Sequence, residues 1–365
     1  MDRIRTNRPA SLKMFDFSDT DSGISYGSTD DEIEINTPTY SISLMDPIEA
    51  VMKPENVLEK FVEVGGRRYL NDNTLKCYLP SDQEEVKRTY NRHLIDKIMW
   101  GGNYSAPVSD NLSSGASVLD IGCGAGAWIM NMASDYPVSV FVGIDIAPLF
   151  PENHPPNVAF LKCDIMDGLP FPDNTFDFVR QAFVIICINW QAWKEKVVKE
   201  LIRVTKPGGY IEIMEVCRED INLGIVGRRI YARKSEHMRK AGINTMSGPD
   251  VTKAFNEFKN EVIVAPMEEK IYYFGKKAGR IGEAASILNK ALKSILEACR
   301  AMKVILTHIM GITEKECEQM LIDFEKECNE ITLCKSRYRT VIQKRLDTYG
   351  GFKIEDYFAD GRISC

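Results

Sequence analysis

Two aspartates and a run of glycines carry the chemistry that is legible in this chain. The stretch Val118-Leu-Asp-Ile-Gly-Cys-Gly-Ala-Gly-Ala-Trp128 takes a short apolar strand into Asp120, then passes Gly122, Cys123, Gly124 and Gly126 into an apolar, helix-like run. Val142-Gly-Ile-Asp-Ile146 supplies a second strand that ends in Asp145. Glycines at such a turn let backbone approach a ligand closely, and a carboxylate at the end of the next strand can accept hydrogen bonds from ribose hydroxyls. The pattern suits an adenosine-containing cofactor held by a parallel α/β sheet. It leaves the cofactor open, because Gly122-x-Gly124-x-x-Ala127 with Asp145 about 20 residues on also satisfies the dinucleotide spacing. An ordinary tight strand-to-helix turn would use the same glycines.

The downstream residues separate these alternatives. Lys162-Cys-Asp-Ile-Met-Asp-Gly-Leu-Pro-Phe-Pro-Asp-Asn-Thr-Phe-Asp-Phe-Val179 places an acid after a third strand, then a Pro-rich turn, then a fourth strand. An amphipathic helix from Trp190 to Val204 follows, and then Thr205-Lys-Pro-Gly-Gly-Tyr-Ile-Glu-Ile213. In this order the motifs resemble the class I S-adenosylmethionine-dependent methyltransferases over roughly Ser117 to Val216. The flanks resemble the fungal LaeA-like branch of that family, and its early-diverging members in particular. The residues that carry this likeness are Arg67-Arg-Tyr-Leu-Asn71, Tyr78-Leu-Pro-Ser-Asp82, the helix from Glu84 to Trp100 with His93, and Trp190-Gln-Ala-Trp-Lys194. The chain departs from that branch at Asn91-Arg92, where Leu-Gln is usual. It departs again at Cys334-Lys-Ser-Arg-Tyr-Arg-Thr-Val-Ile-Gln343, in place of an aromatic-rich last strand. These departures leave the cofactor inference intact and bear on the substrate end of the resemblance.

The resemblance implies roles residue by residue. Gly122, Gly124 and Gly126, with Cys123 among them, form the floor under the methionine part of S-adenosylmethionine, and Asp120 orients the turn and reaches the methionine amino group. Asp145 takes the ribose hydroxyls and Ile146 packs on the adenine. Asp164 bonds the adenine amino group, a role Asp167 could exchange with it, and Ile165 faces the ring. Gln181 sits near the methyl group and Tyr69 closes over the methionine end. A catalytic base is not assigned. Only four histidines occur, His93, His154, His237 and His308, and none stands in a pattern that marks it as a base.

The elements that must position these residues follow from periodicity. Strands are expected near 117–120, 139–144, 157–161, 175–184 and 209–216, with helices near 125–134 and 190–204, which is the alternation of a doubly wound parallel sheet. A lead-in helix spans 81–100, capped by Ser81 with Glu84 three residues on. Beyond Val216 the spacing turns helical at 221–241, 281–309 and 313–329. One or two strands are expected in 261–274 and an antiparallel last strand at 335–343. The expected fold is therefore α/β: Rossmann-like, a mostly parallel seven-stranded sheet with helices on both faces and a helical cap. The chain divides into an acidic, Ser/Thr-rich disordered tail (1–55), a cofactor-binding core with its lead-in (56–220), a mainly helical cap over the substrate (221–330), and a last strand with a C-terminal tail (331–365).

Composition bounds the function. With 44% hydrophobic and 27% charged residues and a net charge of −6, the 365-residue chain reads as soluble and globular, and it does not favour phosphate backbones. Its ten cysteines contain no Cys-x-x-Cys pair, so reduced thiols in cytoplasm or nucleus are expected, with no metal site. No signal peptide or membrane span is expected, since the longest apolar run is Ala182 to Ile188. The leading expectation is an enzyme that methylates oxygen, nitrogen or carbon of a small molecule, in line with secondary metabolism. The alternative is a cofactor-binding regulator that works through a protein partner, using the acidic tail and the basic residues at 228–234. Methylation of nucleic acid or protein has less support, and a dehydrogenase least.

Overall fold

A computed structural model of the chain describes residues 61–70, 79–216, 222–243, 247–275 and 283–346. The acidic tail and the residues after 346 lie outside the described residues. The chain enters through a hairpin of β1 (Phe61–Val64) and β2 (Arg67–Leu70), then the lead-in helix α1 (Gln83–Trp100) and a short α2 (Ser109–Ser114). The alternating core follows: β3 (Ser117–Ile121), α3 (Ala127–Asp135), β4 (Val140–Asp145), β5 (Val158–Lys162) and β6 (Phe176–Ala182). A helical stretch then runs through Trp190–Ala192, a π turn at Trp193–Val197, and α4 (Val198–Val204) into β7 (Thr205–Val216). After it come α5 (Ile225–Lys240), α6 (Ser247–Asn256), β8 (Val262–Val264), β9 (Glu268–Gly275), α7 (Glu283–Ala301), α8 (Lys303–Met310), α9 (Glu314–Glu330) and β10 (Thr332–Lys344).

The main sheet has the order β5-β4-β3-β6-β7-β10-β8, with β9 also paired to β10. The first five of these strands are mutually parallel, and β10 runs antiparallel to its neighbours. Seven strands were expected; the sheet has eight, because β8 and β9 occupy the two halves of the outer edge of β10. Pro266, between them, has no N–H to give the ladder, so one long strand becomes two.

Side-chain alternation puts one core on each face. Val118, Phe141 and Phe178 pack with Trp128 and Ile129 of α3, while their successors Leu119, Val142 and Val179 pack with Trp193, Val197 and Leu201. A third cluster joins α5, α7, α8 and α9 to Ile95 of α1. The Lys-Pro-Gly-Gly segment is a bulge inside β7, since the pairing jumps from Phe176 with Thr205 to Phe178 with Tyr210. Buried Lys344, near the end of β10, donates to the carbonyls of Ile202 and Thr205 at 2.8 and 2.9 Å, closing the end of α4.

Three local expectations are corrected. The cap of α1 is Asp82, whose Oδ1 accepts from Glu85 N at 3.0 Å; Ser81 instead donates its N–H to Arg68 O at 2.6 Å. Arg67 grips the same Asp82 carboxylate through two nitrogens at 2.7 and 2.9 Å, so the cap also ties the hairpin to the helix. The expected helix 281–309 breaks at Met302 into α7 and α8. The expected strand 175–184 ends at Ala182, because Phe183 turns the chain with φ +62°.

Candidate active site

The ends of β3, β4, β5 and β6 open onto one cavity of about 450 Å³, within the size range of small-molecule sites. Its floor is the glycine turn. Gly122, Gly124 and Gly126 all have positive φ, +68°, +57° and +75°, a region that side chains with a Cβ resist. At Gly122 a Cβ would come within 2.3 Å of Val184 Cγ2, so this glycine is needed for packing as well as for its torsion. At Gly124, among the described residues, nothing beyond its chain neighbours lies within 4 Å of the Cβ position, and the residue lines the cavity.

Asp145 holds this turn. Its Oδ2 accepts from Gly124 N at 2.8 Å and its Oδ1 from Ala147 N at 2.9 Å. Burial pushes its carboxyl up from the ordinary range, and the Ala147 and Gly124 amides pull it back. The Ile146 amide donates to the same carboxylate, so three of its roughly four lone-pair sites are taken and the remaining one can receive a ribose hydroxyl. Asp164 accepts from Met166 N at 2.9 Å and lines the cavity with Ile146 and Ile165.

Of the eleven residues expected at the site, Gly122, Gly124, Asp145, Ile146, Asp164 and Ile165 border this cavity together. Five do not border it. Gly126 lies beneath, where a Cβ would meet the Phe160 ring at 2.6 Å. The Cys123 sulfur faces Gly143 on β4. Asp120 is buried and accepts from Arg180 at 2.8 Å, with that guanidinium 4.5 Å from the Trp128 ring. Gln181 points to the opposite face of β6, where Trp193 Nε1 donates to it at 3.4 Å. Tyr69 donates its hydroxyl to Ala301 O at 3.2 Å.

Some cavity residues carry no sequence signal of their own. One face of α1 forms a wall with Glu85, Arg88, Thr89 and Arg92, at helical spacing of three and four residues. From the cap region, among the described residues, Ala241 and Ile243 reach the cavity. The turn after β6 is held by Glu215 of β7, whose Oε1 accepts from Val184 N at 2.9 Å and Ile185 N at 3.0 Å, while Phe183 N donates to Met214 O at 2.9 Å. These bonds keep Phe183 in its costly left-handed backbone and press Val184 against Gly122.

No histidine is among the described lining residues. His93 lies behind the wall, 3.4 Å from Asn131 Oδ1, and burial with the nearby Arg180 charge lowers its pKa to about 4, so it is neutral at pH 7. Cys163, on the cavity, is pushed up to about 11 by burial and stays a thiol. Such a site can hold, orient and desolvate reactants.

Residues 118–209 match the methyltransferase domain family. Among curated relatives, the chain is 35% identical over 152 residues to the N-methyltransferase verN of Clonostachys rogersoniana, covering 40% of this chain and 52% of that one. It is 31% identical over 173 residues to the secondary metabolism regulator laeA of Coprinopsis cinerea, covering 46% and 42% respectively. The chain thus spans about half the length of the curated relatives it matches. A solved SAM-dependent methyltransferase from Archaeoglobus fulgidus overlays 72% of this chain and 95% of its own at 14% identity and a TM-score of 0.37, a likeness too slight to add to the sheet order. With β10 reversed between β7 and β8, that order is the class I methyltransferase sheet, and the chain carries a methyltransferase domain over residues 118–209, with LaeA-like fungal proteins among its relatives.

Proposed function

We propose that this chain binds S-adenosylmethionine in the cavity above the glycine turn and transfers the methyl group to a small molecule. The observation that carries this reading is the union of open space over Gly124 with the Asp145 carboxylate in one cavity. A nucleoside fits such a pairing, with its hydroxyls on the carboxylate and its sulfur end over the glycines. The cofactor supplies an electrophilic methyl; the chain supplies the floor, the ribose acceptor and a desolvating wall. With no histidine among the described lining residues, the acceptor that suits this cavity brings its own lone pair, as a neutral amine does, and this agrees with relatives named N-methyltransferases. The expected compartment, cytoplasm or nucleus, belongs to the same proposal.

The test is transfer of radiolabelled methyl from S-adenosylmethionine to a panel of fungal metabolites rich in amines and amino acids. Label in an acceptor that depends on Asp145 supports the reading. The second reading, a regulator acting through a partner, is favoured by relatives named secondary metabolism regulators. It predicts cofactor binding without label transfer, and stable co-purification of one protein.

A further inference from the structure

Around the end of β6 three arginines meet two carboxylates. Arg88 is taken by Glu85 through two nitrogens, at 2.7 and 2.5 Å. Arg337 of β10 lies 3.1 Å from Asp96. Arg92 stands between these pairs and has no ion-pair or hydrogen-bond acceptor among the described residues. Its guanidinium carbon lies 4.4 Å from the Phe183 ring, and that of Arg337 lies 4.8 Å from the same ring. Arg92 is half-buried and borders the cavity, as does Phe183. Burial lowers its pKa to about 10, still fully charged at neutral pH. A cation–π contact offsets part of the cost of desolvating a guanidinium but satisfies none of its five N–H donors in the plane.

A charge left in that state inside a cavity is matched by a ligand of opposite charge. The planar fork of arginine suits a carboxylate, which it can bind through two parallel hydrogen bonds. Its place in the cavity says which end of the ligand this is. The nucleoside acids, Asp145 and Asp164, end β4 and follow β5. Arg92 sits over Phe183, one residue before the Val184 side chain that packs on Gly122. The apolar neighbours Phe183, Val184 and Ile188 also line the cavity there. We propose that Arg92 is a carboxylate anchor at the acceptor end of this cavity, so that the methyl acceptor is an acid with an apolar body. This rests on the proposed function and narrows its substrate class.

The test compares arylalkanoic and amino-acid-derived carboxylates with their own primary amides, as ligands of the full chain, with and without S-adenosylhomocysteine. The amide keeps the shape and removes the charge. The expected result is that acids bind at least about tenfold more tightly than their amides in wild type, that Arg92→Gln reduces the difference below about threefold, and that Arg92→Lys keeps part of it. Equal binding of acid and amide by wild type, or a preference that survives Arg92→Gln, overturns the proposal. A drop of about tenfold in S-adenosylhomocysteine affinity in Arg92→Gln, with 5′-methylthioadenosine unaffected, also overturns it, because the guanidinium then serves the cofactor's own carboxylate. The underlying reading fails separately, by absence of S-adenosylhomocysteine binding to wild type, and the acid–amide comparison without cofactor is read independently of it.

Discussion

Asp145 and Gly124 sit 2.8 Å apart and divide the work of the site between a charge and a vacancy. That division predicts different phenotypes. Gly124→Ala introduces a Cβ into open space, so its cost to stability is backbone strain alone, about 1 kcal/mol. The methyl occupies ligand volume, so affinity for S-adenosylhomocysteine falls by more than stability does. Gly122→Ala adds the collision with Val184 and should lower the thermal midpoint as well. Glu215→Ala strips the acceptor from two backbone N–H groups and should cost about 3 kcal/mol in chemical denaturation, with Glu215→Gln costing less. Equal midpoints for Glu215→Ala and wild type would contradict the role given to that carboxylate. Asp145 and the glycines were legible because a strand, a tight turn and a following acid leave a local pattern. Arg92, Phe183 and Glu215 were not, because their partners come from other elements and no spacing along the chain brings them together. Asp120 and Gln181 show the converse: motif position named them, but Arg180 and Trp193 claim their side chains.

At the level of elements, the buried strands were readable because both faces pack, leaving short apolar runs bounded by turn residues. Boundaries set by tertiary contacts were less so. The N-terminus of α1 falls one residue late because Arg67 and the Glu85 amide both seek Asp82, a carboxylate stronger than the serine before it. Asp82→Ala should therefore cost about 2 kcal/mol, more than an isolated cap, since it also releases the hairpin; Ser81→Ala should be nearly silent. Helix α6 is not among the elements expected from periodicity; Gly248 and Pro249 in its first turn weaken the helical signal, although proline is tolerated there. The π turn at Trp193–Val197 places Trp193, fully buried, against Phe255 and Gln181. Trp193→Ala should cost about 4 kcal/mol in urea denaturation, and a loss under 1 kcal/mol would mean that the core behind β6 can collapse around the gap.

Across the whole molecule, the two faces of the sheet and the helices beyond β7 with Ile95 of α1 carry separate apolar clusters, and Glu85, Arg88 and Asp96 of α1 are buried charged groups. Stability should depend on pH for this reason. His93 has a folded pKa of about 4 against 6.5 when unfolded, so above pH 6.5 both states are neutral and the group has no effect. As pH falls from 6.5 toward 4 the unfolded chain gains the proton first, and stability drops by about 2 kcal/mol after allowance for partial exposure. Between pH 7 and pH 5 the stability of wild type should fall by about 1 kcal/mol more than that of His93→Gln; parallel curves would contradict it. Among the described residues no helix is long and apolar enough to cross a membrane.

In the function proposed above, the cavity above Gly124 and beside Asp145 holds S-adenosylmethionine. Calorimetric titration with S-adenosylhomocysteine tests it most directly, on wild type, Asp145→Asn and Gly124→Ala, with thermal midpoints recorded in parallel. Saturable one-site binding is expected for wild type, weakened at least about tenfold in both variants while both remain folded. Binding unchanged in the two folded variants, or absent in wild type, would contradict it.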